Sequence, residues 1–157
     1  MTFASRDTTT GARFEERISI NSKGVNLTKN KLYKYLTSKG KNYKSVISKK
    51  LLPDEAYFNL KTKEFNVYEK KFQCNEGSAD EKLQTCAFKI QQFRKIGTLL
   101  EAEKVTYTYI LSEWFRRDMY KDVLEYIKSV PGCDYIFEDD IVSKKPENKN
   151  GFCFGYF

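Results

Sequence analysis

An α/β domain is the fold class this sequence predicts, and three observations predict it. Runs rich in β-branched and aromatic residues alternate with period two at 54–60, 65–73 and 105–111. Stretches with apolar residues at helical spacing lie between and after them, at 78–96 and 114–130. The length of 157 residues suits one domain with a real core and is short for two.

Taken in order, residues 1–10 are expected to be a flexible tail. Segment 11–19 reads as a short helix, with Phe14 and Ile18 four apart on one face. From 23 to 50 the composition shifts to nine lysines and no acid, with Tyr33, Tyr35 and Tyr43 interleaved. Thr28 is placed to cap a short helix carrying Leu32, Tyr33 and Leu36. The runs 54–60 and 65–73 read as a hairpin through KTKE, although no Asn-Gly or Asp-Gly turn joins them. Ser78 with Glu81 fits a capping box for the helix over 78–96, whose apolar stripe is Leu83, Ala87, Ile90 and Phe93. VTYTYIL at 105–111 is a strand. The helix at 114–130 should turn Phe115, Met119, Val123, Tyr126 and Ile127 inward and stop at Pro131-Gly132. A last strand at 133–137 precedes a charged loop, and the closing FCFGYF is expected to pack on the body or on a second subunit.

Composition narrows the function. The balance of 28 Lys+Arg against 21 Asp+Glu favours a polyanionic partner. No apolar run is long enough to span a membrane, and MTFASRDTTTGAR lacks the apolar stretch of a signal peptide. Four cysteines without a CxxC pair read as reduced thiols, so a cytoplasmic location is expected. There is no histidine. Ser-His-Asp and Cys-His triads, histidine nucleases and His-containing zinc sites are thereby excluded.

The hairpin carries the chemistry. Centring its turn between Thr62 and Lys63 pairs Asp54 with Lys71 and Ala56 with Glu69. One face then holds Asp54, Ala56, Phe58, Leu60, Phe65, Val67, Glu69, Lys71 and Gln73; the other holds Glu55, Tyr57, Asn59, Asn66, Tyr68 and Lys70. The first face is apolar near the turn and charged at its open end, where charge is costly unless paired or metal-bound. Two close carboxylates suit Mg²⁺, with Mn²⁺ expected to substitute. A lysine beside them can orient a water or stabilise charge gathering on a phosphate. A plain cross-strand Asp–Lys pair is the competing reading.

Pro53-Asp54 followed by Glu69-Lys70-Lys71 and then a capped helix resembles the PD-(D/E)xK signature of type II restriction endonucleases and their relatives. The resemblance covers about residues 11–111 and implies a restriction-endonuclease-like core, a central mixed β-sheet flanked by helices. It implies catalytic roles for Asp54, Glu69 and Lys71, with metal bound by Asp54, Glu69 and the backbone carbonyl of Lys70. Gly11-Ala12-Arg13-Phe14-Glu15 is similar to a family pattern that makes Glu15 an auxiliary acid, with Glu16 as fallback. The core's third strand would be supplied by VISKKLL, 46–52. Gln73, Lys82 and Lys89 are candidate DNA contacts near the site, and Lys41, Lys44 and Tyr43 are candidates in the basic 23–50 segment. The expected protein is a homodimeric, sequence-specific DNA endonuclease. The alternatives are a junction resolvase or repair nuclease, a nuclease acting on RNA, and a non-catalytic DNA-binding protein of the same fold.

Overall fold

Antiparallel neighbours can be joined by a turn, whereas parallel neighbours need a crossover, commonly a helix, and this chain uses both. A computed structural model describes residues 24–142. Five strands form one open mixed sheet in the order β1 (Val25–Asn26), β2 (Glu55–Asn59), β3 (Glu64–Lys71), β4 (Lys104–Leu111), β5 (Cys133–Phe137). The pairs β1–β2 and β2–β3 are antiparallel; β3–β4 and β4–β5 are parallel. Helix α1 (Lys31–Ser38) and a 3₁₀ turn at Tyr43–Ser45 lie between β1 and β2. Helices α2 (Ala79–Leu83) and α3 (Cys86–Leu99) connect β3 to β4, α4 (Lys121–Ser129) connects β4 to β5, and α5 (Glu138–Val142) follows. The fold is mixed α/β. Among the described residues no helix is long and apolar enough to cross a membrane.

The main core forms between α3 and one face of the sheet. Ala56 and Phe58 from β2, Phe65 and Val67 from β3, and Tyr107 and Tyr109 from β4 are buried against Ile90, Phe93 and Ile96 of α3. Phe93 stacks on Tyr107 at 5.8 Å between ring centroids and meets Phe65 edge-on at 6.2 Å. The opposite face has its own cluster, in which buried Ile110 packs with Tyr68, Phe72, Ile136 and Ile141.

Alternation assigned the hairpin's faces correctly, but the register differs by two residues. Ala56 pairs with Val67 and Phe58 with Phe65. The cause is the turn. The Asn59 side chain accepts from the backbone N–H groups of Lys61 and Thr62, and Lys63 donates to the Asn59 carbonyl with a positive φ of 57°. The loop is therefore 60–63, and Leu60 sits in it, 55% exposed rather than in the core. A two-residue shift leaves the side chains that remain in the two strands on their expected faces.

Other expectations change more. The helix over 78–96 is two helices broken at Gln84 and Thr85, and Ser78 makes no capping bond through its side chain. The helix at 114–130 begins as 3₁₀ turns at Glu113–Arg116 and Asp118–Tyr120, and only 121–129 is α-helical. That change of winding leaves Met119 66% exposed and Tyr126 partly exposed instead of inward. Segment 46–52 is not a strand; the short β1 lies beside β2 in its stead. Thr28 does not cap α1, because its hydroxyl accepts the N–H of Ala56. The start of the predicted charged loop is helix α5. The predicted helix at 11–19, with Glu15 and Glu16, and the FCFGYF end lie outside the described residues.

The turn from α4 into β5 is tight. Gly132 has φ +84°, and a Cβ there would stand 2.6 Å from Ile90 Cδ1 and 3.1 Å from the Val105 carbonyl oxygen. Gly132→Ala is therefore expected to cost about 1–3 kcal/mol in urea unfolding. A loss below about 0.5 kcal/mol, the range of an unremarkable surface change, would contradict this account of the turn.

Candidate active site

The sheet face beneath α3 stays apolar along β2 and β3 until their open end. There Glu69 and Lys71 replace the apolar residues of β3, and Asp54 stands just before β2. Continuing the observed register by one pair sets Asp54 across from Glu69, rather than across from Lys71 as the sequence suggested. Asp54 is fixed there by the backbone N–H of Lys70, which donates to its Oδ2 at 2.8 Å.

Glu69 is the centre of the site. Its Oε1 lies 2.5 Å from Lys71 Nζ, and Lys89 Nζ on α3 reaches both carboxylate oxygens, at 2.7 and 2.8 Å. The Tyr107 hydroxyl donates to Oε2. Burial would push the Glu69 carboxyl up, but the ammonium groups of Lys71 and Lys89 outweigh it and hold the group below its ordinary 4.5. It is an ionised acid in a largely dry place. Tyr109, which pairs with Glu69 across β3 and β4, is pushed strongly up by burial and by the Glu69 charge, so it remains a neutral phenol.

Lys70 points the other way. On the opposite face its Nζ lies 3.1 Å from Glu55 Oε2, and the Tyr57 hydroxyl donates to Glu55 Oε1 at 2.7 Å. Both ionic side chains are buried. Strand alternation thus leaves Lys70 only its backbone to offer to the Asp54 and Glu69 side.

Asp54, just before β2, and Glu69, on β3, carry carboxylate oxygens, the ligand type Mg²⁺ takes. A cation binding Glu69 would have to displace part of its ammonium and phenol shell. Among the described residues no cluster of three or more acidic or sulfur ligands forms. The remaining positions would fall to backbone, water or substrate, in keeping with the waters Mg²⁺ usually retains.

The other candidate positions are more dispersed. Lys89 is turned into the site as a counter-ion of Glu69 instead of facing outward beside Lys82, which is exposed on α2. Gln73, expected along the cleaved strand, is buried, and its Nε2 donates to the carbonyls of Asn75 and Gly77. It braces the loop after β3. Lys41 and Lys44 are exposed, and Tyr43 is half-buried against Tyr33. Sequence reasoning missed Tyr107. Its signal was the alternation in VTYTYIL, which puts Tyr107 and Tyr109 on one face once that strand pairs parallel with β3. Comparison with known protein families, curated proteins and solved structures gives no match to this chain.

A carboxyl held low in the folded state contributes stability that is present above its unfolded value and lost as pH falls through the folded one. For Glu69 that loss lies below about pH 4.5. In metal-free protein, wild type should lose more stability than Glu69→Gln between about pH 5 and pH 3, measured by urea titration at each pH. Equal losses would remove the ion cluster from the account.

Proposed function

We propose that the protein is a metal-dependent endonuclease of the PD-(D/E)xK group acting on double-stranded DNA, with Mg²⁺ as its cation. The observation that carries the reading is the gathering of Asp54, Glu69 and Lys71 at one end of one sheet face, with Glu69 held ionised. The mixed sheet supports it: antiparallel β1–β2–β3 strands, with α1 between β1 and β2, are followed by a helical crossover and a parallel β4, which is compatible with the central mixed β-sheet flanked by helices that the resemblance implies. The basic 23–50 segment supports a polyanionic substrate.

On this reading Asp54 and Glu69 hold the cation, which when bound lowers the pKa of a water and neutralises charge on the scissile phosphate. Lys71 orients the attacking water and stabilises charge developing on the phosphate oxygens. The water oxygen bonds to phosphorus as the bond to the leaving oxygen breaks, and that oxygen takes up a proton. Lys89 and Tyr107 fix the Glu69 carboxylate in orientation, positioning it rather than touching substrate. A restriction-type enzyme of this size would work as a homodimer, with one site for each strand.

Asp54→Asn should lower plasmid cleavage in Mg²⁺ by about a hundredfold or more while leaving the melting temperature close to wild type; Lys71→Met should lower cleavage as much and also lower the melting temperature, because Glu69 loses a counter-ion. Cleavage at the wild-type rate in either variant would remove the assignment. In Ca²⁺, whose looser coordination places the water poorly, the wild type should bind duplex DNA without cutting it. Equal turnover in Ca²⁺ and Mg²⁺ would argue against the mechanism.

A further inference from the structure

A second basic site lies away from the carboxylates. Helix α1 and the 3₁₀ turn at Tyr43–Ser45 border a cleft of about 490 Å³, within the usual range for small-ligand sites. Its floor is built. The Tyr33 hydroxyl donates to the Leu51 carbonyl at 2.6 Å and accepts the Leu51 N–H at 2.8 Å, which locks the ring. Tyr43 meets that ring edge-on at 4.8 Å. Lys50 Nζ stands over both, 5.1 Å from the Tyr33 centroid and 5.2 Å from that of Tyr43. Lys34 and Asn30 complete the wall.

The electrostatics are one-sided. Among the described residues neither Lys34 nor Lys50 has a carboxylate partner, and no acid occurs from 23 to 50. Ring faces hold the Lys50 ammonium by cation–π attraction, which is weaker than a charge-assisted hydrogen bond to an anion. The ammonium is therefore pre-placed and still able to accept an anionic partner.

Position decides which anion. Lys50 precedes Asp54 by four residues, so their Cα atoms lie at most about 14 Å apart. One DNA strand places a charge about every 3.4 Å along the axis, so with the reach of the side chains added the two positions are several nucleotides apart at most. We propose that Lys34, Lys50 and the Tyr33–Tyr43 pair form a phosphate-binding subsite that grips the substrate backbone within several nucleotides of the bond cut at Asp54 and Glu69. The subsite rests on the nuclease reading and adds the place where the strand is held.

The test is the salt dependence of duplex binding by the full chain in Ca²⁺, from about 50 to 200 mM salt. Each phosphate contact contributes about 0.9 to the slope of log K against log salt. The double variant Lys34→Gln/Lys50→Gln should flatten the slope by about 0.9–1.8. Lys50→Arg, which keeps charge and ring contact, should retain the wild-type slope, and so should Lys128→Gln on α4. An unchanged slope in the double variant, with the wild type binding DNA, overturns the subsite alone. Failure of the wild type to bind duplex DNA in any divalent metal overturns the nuclease reading and the subsite with it. Inorganic phosphate added at constant ionic strength separates a free phosphate from a strand phosphate. A Lys50-dependent rise in melting temperature with phosphate, without any change in DNA slope, would overturn the DNA assignment in favour of a small phosphorylated ligand.

Discussion

The arrangement of this protein depends on keeping one carboxylate charged beneath a helix. Glu69 occupies a position in β3 that an apolar residue would fill more cheaply, facing α3 in line with Phe65 and Val67. An unpaired charge there would be heavily penalised. Lys71 from the same strand, Lys89 from the helix above and Tyr107 from the neighbouring strand remove that penalty together. Three elements thus converge on one side chain, and the packing of α3 on the sheet and the chemistry of the site are parts of one constraint.

The sheet meets a second demand of the same kind on its other face. Glu55 and Lys70 are buried there as an ion pair, with Tyr57 satisfying the second oxygen of Glu55. β3 therefore carries consecutive charged residues, Glu69, Lys70 and Lys71, that serve two unrelated clusters on opposite surfaces. A central strand covered on both sides would ordinarily be a run of apolar residues. On the face beneath α3 this one departs from that pattern at its open end only; on the other face it also carries Glu64 and Asn66, paired with Lys104 and Thr106.

How much of this was legible follows from what alternation can and cannot encode. The gathering of Asp54, Glu69 and Lys71 on one face was readable because side chains repeat every two residues, and a register error of two preserves the face. The identity of the residue opposite Asp54 was not readable, since it depends on how Asn59 bonds the turn. The break in the helix at Gln84–Thr85 and the 3₁₀ winding before α4 were hidden for a similar reason. Helical periodicity reports which side is apolar, and it is blind to a tightening of one turn. Lys89 was noticed as a cation on a helix face; its destination required knowing that α3 crosses over β3. Gln73 was expected to contact the cleaved strand, and the fold of the following loop instead draws its amide inward.

That crossover gives one element two tasks. β2 and β3 are joined by a short turn, while β4 reaches its place beside β3 only through α2 and α3. The helix that covers Glu69 therefore also delivers Lys89 to it. Lifting α3 from the sheet would wet the carboxylate and remove one of its two ammonium partners at the same stroke, while Lys71, on the same strand, would stay beside it.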